Sequence, residues 1–503
     1  DGFLSDGAAL RGDLLALGVL TGAGLIGVIA RSRIERVRRI RGEVVDGVRP
    51  LLRQPARLAT VIGLALVVQA LMLLLWLVLA TGLALPIPAE TLLVGVPIVT
   101  LATLLPLTIA GLGIREGVWL FLLRASGISA TAIVSFSLLY FLVTLLAGAI
   151  AYPTYPNYDS VYSLVWGREI LHGHLPSFDA YRAPTEHPLG VLFGALLAPL
   201  GRGADRVMVF ATLASFAVLV AGLYRLGRVA FTPLVGVLAA IVLCTRFDFP
   251  FLAARGYIDI PYLALVIWAA VLEAQQRRRG TAVLVLLGLA GLLRPEAWVL
   301  SGVYWLYLFP GTSWQQRIRS ALIVGAAPLL WLATDAVVTG DPLFSQHHTS
   351  GLAEELGRQK GLSEVPDATV SFLKALVKLP VAVAGLIGLT LAAWLAPTRL
   401  RVPLGLLVIG LGTFGLVGAA GLSVINRYLL VPSLMVMLFG AVAVGGWTML
   451  VDGRARRVWA GLALAGVLFA GVWTVLRVDL HRLEAPLERA VLLDEVVRIG
   501  AAI

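Results

Sequence analysis

Residues 57–82 read RLATVIGLALVVQALMLLLWLVLATG, an apolar run with no charged side chain after Arg57. An α-helix rises 1.5 Å per residue, so such a run covers the roughly 30 Å hydrocarbon core of a bilayer. Directly before it stands RSRIERVRRIRGEVVDGVRPLLRQPAR (31–57), dense in arginine. The same alternation of long apolar run and short Arg-rich loop recurs along the chain. Of 503 residues, 59% are hydrophobic and only 14% charged, with a mean hydropathy of +0.91. An ordinary soluble domain carries about 25% charged residues. The fold class that follows is an all-α polytopic membrane protein, a helical bundle of roughly 12–14 membrane segments.

Spans are expected near 13–30, 57–82, 90–110, 129–152, 206–227, 230–246, 257–275, 319–339, 378–397, 402–423, 428–449 and 457–477. Residues 281–309 form an apolar pair broken by LRPEAW. Lys and Arg accumulate in short cytoplasmic loops, which orients the spans. RSRIERVRRIRGEVVDGVRPLLRQPAR, RLGR, QQRRRG, WQQRIRS, PTRLR and DGRARR all fall on one side if 281–309 enters and returns as a hairpin. The opposite, extracytoplasmic face then receives residues 155–190, FDFPFLAARGYIDIP, the tip of LRPEAW, the loop 340–376, SVINRYL and the tail from 478. His172, His174, His187, His347, His348 and His481, the full histidine complement, fall there too.

The net charge of +11 is almost all arginine and sits in these loops, so it is topological and nucleic acid is not a partner. The single cysteine, Cys244, rules out an intrachain disulfide and a thiol metal site. With no initiating Met and no signal-peptide pattern, the chain is expected to begin inside a longer gene product. An Arg-rich, Lys-poor, Ala/Leu/Val/Gly-heavy composition points to a bacterial cytoplasmic membrane.

Two segments carry family likenesses. In LPLTIAGLGIREGVWLFLLRASGISATAIVSFSLLYFLVTLLAGAI (105–150), a Pro, a Gly-rich break and an Arg-Glu pair separate apolar halves. With it, residues 1–152 resemble the C-terminal part of the lysylphosphatidylglycerol synthase transmembrane, or flippase-like, family. Backbone groups freed at Gly111 and Gly113 need cover by protein or water. Arg115 and Glu116 then read either as a polar pair on a lipid-headgroup path or as an interfacial turn with a snorkelling arginine.

From residue 153 the pattern changes. NYDSVYSLVWGREILHGHLPSFDAYRAPTEHPLG (157–190), ARGYIDIPYLAL (254–265), LLRPEAW (292–298), GDPLFSQHHTSGLAEELGR (340–358) and INRYLLVP (425–432) share one expected face. In that order they resemble a bacterial GT-C glycosyltransferase, with outer loops at 153–205 and 340–376. The likeness implies a polyprenyl-phosphate sugar donor, a glycan, glycolipid or protein acceptor, surrounding membrane lipids and an inverting transfer. It makes no cofactor certain; a divalent metal finds no support, because Asp-Ser stands at 159–160 where many relatives have two adjacent acids.

The likeness also asks for a carboxylate in the first outer loop, and Asp159 is the candidate, as base or acceptor ligand; its alternative is a helix N-cap. SVYSLVWGREILHG behind it reads as a helix lying along the interface. Asp179, Glu186 and His187 compete in the same loop, in contact with substrate or in loop-to-loop hydrogen bonds. Arg255 and Asp259, four residues apart, read as a salt bridge across one helical turn or as a second polar wall facing phosphate and sugar. Arg294 and Glu296 bracket Pro295, as a paired kink or as part of the same cavity. Arg427 heads a span and is the best phosphate ligand, or else a headgroup anchor. His347, His348 and Lys360 read as polar loop residues near substrate. The rival class is a flippase or transporter of lipids or lipid-linked sugars, or a fused flippase-transferase.

Overall fold

The computed structural model describes residues 55–103, 113–124, 126–151, 154–178, 184–355 and 360–477. The span expected at 13–30, the tail from 478 with His481, the Gly111 half of the expected glycine break and Asp179 lie outside the described residues. Every named element is helical; the nearest approach to a sheet among the described residues is one isolated bridge between Lys360 and Ser423.

The chain divides into two compact units, Asp1–Thr100 with Trp119–Phe136, and Leu101–Val118 with Ser137–Ile503. Four helices come first: α1 (Pro55–Gly82), α2 (Ala89–Thr103), α3 (Ile114–Leu122) and α4 (Ala130–Ala151). In the first unit Trp76, Trp119 and Phe136 stack tilted or edge-on with centroids 4.7–5.8 Å apart. Gly95 admits the Trp119 ring, for a Cβ there would stand 2.8 Å from it. The outer face of α1 is bare leucine and valine, Leu66, Val67 and Leu71 among them, as a lipid-facing helix requires.

The second unit continues with α5 (Tyr158–Leu171), α6 (Pro188–Leu197), α7 (Ala204–Ala230), α8 (Pro233–Thr245), α9 (Asp248–Ala254), α10 (Asp259–Gln275), α11 (Thr281–Gly291) and α12 (Glu296–Leu308). It ends with α13 (Trp314–Thr339), α14 (Phe344–Glu355), α15 (Val365–Val377), α16 (Leu379–Leu395), α17 (Pro397–Ala419), α18 (Leu430–Gly445) and α19 (Arg454–Arg477). The core is built on α7, α8, α10 and α18. Of the span-length window containing α18, 83% is buried, because this helix is apolar on all sides and so needs protein around it. Arg427 sits directly before that helix.

Five helical segments among the described residues are individually long and apolar enough to cross a membrane, seven if two bent pairs each count as one span. Residues 281–309 fold as two short helices, α11 and α12, of 11 and 13 residues, each too short to cross alone. The expected outer loops are largely helical: in 153–205 the helix expected behind Asp159 is α5 and α6 follows it, while 340–376 contains α14 and most of α15. The run PLGVLFGALL at 188–197 is too short to register as a span, yet Pro188 starts a helix that runs on through a 3-10 turn into α7.

The bent pairs, α8 with α9 at 65° and α15 with α16 at 104°, meet at their breaks. Arg246 Nη1 donates to the Val377 carbonyl at 3.1 Å, satisfying a backbone acceptor freed by the bend. Close helix contact rests on small residues, as in membrane bundles. A Cβ on Gly194 of α6 would lie 2.0 Å from the Ser163 carbonyl of α5, and one on Gly388 of α16 would lie 1.7 Å from the Phe439 carbonyl of α18. Gly194→Ala is therefore expected to push α5 off α6 and cost about 1–3 kcal/mol, read as a lowered unfolding midpoint in detergent; an unchanged midpoint would contradict this packing.

Candidate functional site

The site begins at Asn157. Its Oδ1 accepts from Ser160 N at 3.2 Å and caps α5, so the N-cap role open to Asp159 is already filled. Asp159, in the first helical turn, is left to face outward from the backbone. Two threads tie this turn to the α9–α10 connection: Asn157 N donates to Arg255 O at 2.7 Å, and Ser160 Oγ to Gly256 O at 2.6 Å. Gly256 has φ +67°, a left-handed conformation that glycine accepts without strain.

Opposite stands Arg427. Its Nη1 lies 3.5 Å from Asp159 Oδ2 and 3.5 Å from Asp259 Oδ2, with the guanidinium 5.6 Å from the Tyr257 ring centre. Asp259 is fully buried and gives its other oxygen to Arg294. Arg294 in turn holds Glu296 Oε1 through Nε at 2.9 Å and Nη2 at 2.6 Å, with Tyr428 and Tyr262 against its charge. Charges thus alternate along one line: Glu296, Arg294, Asp259, Arg427, Asp159. The inner end is tight and dry, whereas the outer end is held at the limit of hydrogen-bond distance.

That outer end borders a cavity of about 440 Å³, lined among others by Asp159, Arg427, Asp248, Asn157, Asn426 and Tyr257. The apolar side chains Phe251, Leu252, Leu376, Ile425 and Leu430 complete it. The arrangement offers a carboxylate and a guanidinium to one small polar ligand, with greasy walls beside it.

Five of the singled-out side chains, Asp159, Asp259, Arg294, Glu296 and Arg427, gather here, and His187 joins them. The field of Asp159, Arg294, Arg427 and Asp259 acts on its ring, but burial dominates and pushes its pKa down to about 4. Its Nδ1 has no hydrogen-bond partner, and the ring meets Trp331 edge-on at 5.6 Å. Arg255 departs from expectation. It caps the end of α9 while Asp259 opens α10, so the four-residue spacing spans a helix break and no salt bridge forms between them. Arg255 instead lies 4.0 Å over the Tyr155 ring and donates to the Tyr155 carbonyl.

Glu186 turns away from the cavity towards α13, and His348 stacks on Phe344 in α14. His347 pairs with Asp341 at 2.8 Å and Lys360 donates to Ser350 O. None of these four lines the cavity. Among the described residues no group of three or more His, Cys, Asp and Glu is placed to hold a metal ion.

Burial and the neighbouring Asp335 push the Glu186 pKa up to about 7, against an opposing hydrogen bond from Thr334, and its Oε2 has no partner. A carboxyl raised on folding contributes stability below its ordinary 4.5 and loses it as pH rises through 7. His187, lowered from 6.5, does the reverse, contributing above 6.5 and losing it as pH falls through about 4. Glu186→Gln is expected to remove the loss of melting temperature that Glu186 causes as pH rises from about 4.5 to 7, and an unaltered profile would exclude Glu186 as its source.

Sequence reading overlooked Asp248, which lines the cavity, and Asp335, a buried acid whose oxygens accept from Ser345 N and Oγ. Both were visible as lone acids in apolar runs, FDFPF and LATDAVV, and ionisable residues at such depth are costly to place.

In the described part of the flippase-like segment, Glu116 reaches back to the Gly113 N–H at the start of α3, half of a capping box. Arg115 Nε donates to Ser137 Oγ at 2.9 Å, and that hydroxyl donates to Glu116 Oε1 at 2.6 Å. Arg115 is buried against Tyr140 and Phe141, so it does not snorkel to an interface. Residues 6–151 match the family model of the lysylphosphatidylglycerol synthase TM region. The match covers under a third of the chain, and no curated protein matches the sequence. The chain is a multi-pass membrane protein whose residues 6–151 are similar to that TM region.

Proposed function

We propose that this protein is a membrane glycosyltransferase that moves a sugar from a polyprenyl phosphate to a cell-envelope acceptor on the extracytoplasmic face. One observation carries the reading: Asp159 and Arg427, 268 residues apart in sequence, meet at 3.5 Å on the edge of a cavity. An acceptor hydroxyl beside Asp159 gives it a proton as the oxygen attacks the anomeric carbon. The bond from that carbon to the phosphate oxygen breaks, and the polyprenyl phosphate leaves with the electron pair. Arg427 meets the developing charge, exchanging two loose 3.5 Å contacts for shorter charge-assisted bonds of about 2.8 Å to phosphate. Inversion follows from the GT-C likeness and single displacement. The apolar walls of the cavity suit the first isoprene units of the donor.

A second reading, a flippase for lipids or lipid-linked sugars, draws on the match at 6–151 and the buried Arg115–Ser137–Glu116 cluster. The separating experiment uses the full chain in detergent with a radiolabelled polyprenyl-phosphate sugar, and in vesicles with a fluorescent lipid. Release of free polyprenyl phosphate with sugar appearing on an acceptor, or on water, supports transfer. Scrambling in vesicles with no turnover of any donor supports the flippase and defeats the transferase.

A further inference from the structure

A second cavity, of about 490 Å³, lies at the other end of α10. Asp259 opens that helix at the site described above. Glu273, fourteen residues on and thus about 21 Å away along the axis, borders the second cavity. Its walls are apolar, with Val266, Leu287, Leu300, Val303, Leu406 and Ile409 drawn from α10, α11, α12 and α17. Three arginines, Arg277, Arg399 and Arg401, stand at its border. They come from QQRRRG and PTRLR, loops that charge bias assigns to the same membrane side.

The acid nearby is not paired with them. Glu273 is buried, and its oxygens already accept from Arg278 N at 2.9 Å, Arg279 N at 3.3 Å and Tyr304 Oη at 2.6 Å. None of the three arginines makes an ion pair or a side-chain hydrogen bond to another described residue. The result is a greasy slot of ligand size bordered by three unpaired guanidinium groups against one carboxylate, a net positive rim. That combination matches an amphiphile with an apolar chain and a phosphate head. A loop serving topology alone needs arginines but no cavity beneath them.

We propose that this cavity is a binding site for an anionic phospholipid, one acyl chain between α10, α12 and α17 and the phosphate on Arg277, Arg399 and Arg401. It is independent of any transfer chemistry at the other end of the bundle.

Gly405 gives the decisive variant. It lines the cavity on α17, and a Cβ there meets nothing within 4 Å. Gly405→Phe fills the slot from a helical position without a clash at its root, and Gly405→Ala leaves most of it open. The full chain is delipidated in neutral detergent and titrated with phosphatidylglycerol, phosphatidylcholine or inorganic phosphate, with adducts counted by native mass spectrometry. Phosphatidylglycerol is expected to outbind phosphatidylcholine, and Arg399→Gln with Arg401→Gln to erase that preference by roughly fivefold per arginine. Gly405→Phe is expected to abolish the saturable adduct for both lipids while Gly405→Ala retains it. Equal binding of the two lipids by the unaltered protein, or phosphatidylglycerol binding untouched by Gly405→Phe, overturns the proposal. Inorganic phosphate binding as well as the lipid overturns the lipid assignment. The exposed arginine pair tests the headgroup claim even if Gly405→Phe fails to fold.

Discussion

Asp159→Asn is expected to cut sugar transfer by roughly 10²- to 10⁴-fold, the contribution of a general base, while the unfolding midpoint stays near that of the unaltered protein. The asparagine has the carboxylate's shape and can still accept a hydrogen bond, but it cannot take the acceptor's proton. Stability changes little because Asp159 is partly exposed and its contact with Arg427 is long, at 3.5 Å. Weak, solvent-screened pairs of this kind contribute about 0–1 kcal/mol. Arg427 Nη1 keeps its contact with Asp259, so the guanidinium stays in place. Donor binding is therefore expected to persist in Asp159→Asn, with the loss in kcat rather than KM. Arg427→Gln is expected to lose both, since it removes the cation that meets the phosphate. Arg115→Ala serves as the contrast: it belongs to the flippase-like segment and should leave transfer intact. Full transfer by Asp159→Asn would remove the base from the mechanism, and loss of transfer in Arg115→Ala alone would move the chemistry elsewhere.

The class and most helices were legible because bilayer thickness sets a length that apolar runs either meet or miss. That test fails for short elements. PLGVLFGALL reads as loop by length, yet α6 packs on α5 through Gly167 and Gly194, where any Cβ would strike backbone. The site was legible as a face rather than as a geometry. Charge bias put Asp159, Asp259, Arg294 and Arg427 on one side, and four different helix starts or tips bring them together. Which acid pairs with which arginine was not legible. RGYID suggests a pair across one turn, but the chain breaks at Gly256 with positive φ, sending Arg255 to Tyr155 and Asp259 to Arg294. Periodicity assumes a continuous helix, and nothing local announces that it stops there except the glycine. Similarly, Asn157 and Asp159 compete for one cap, and only the tie from Asn157 N to Arg255 O fixes which of them wins.

Arg294 is expected to be the costliest single position in the second unit. Its guanidinium is the one cation shared by Asp259 and Glu296, which are almost wholly buried. Arg294→Met leaves both carboxylates beside a side chain that offers them nothing. Breaking a buried ion pair by removing one partner costs about 3–5 kcal/mol, here with Glu296 stranded and Asp259 left only its 3.5 Å contact with Arg427. Arg294→Lys keeps the charge but loses the planar fork that donates Nε and Nη2 to Glu296 and Nη1 to Asp259 together, so an intermediate loss is expected. The informative companion is the triple variant Asp259→Leu, Arg294→Met, Glu296→Leu. With all three charges gone no desolvation cost is left, and apolar replacement of a buried ionic group is often neutral. The triple variant should therefore recover most of the stability lost by Arg294→Met, as read from SDS-induced unfolding in mixed micelles. It should not recover transfer, because Arg427 would have lost the buried carboxylate that holds it from behind. Stability and activity then part company: the alternating charges serve to aim Arg427 rather than to hold the bundle together. An Arg294→Met protein as stable as the original, or a triple variant that still transfers sugar, would contradict that division of labour.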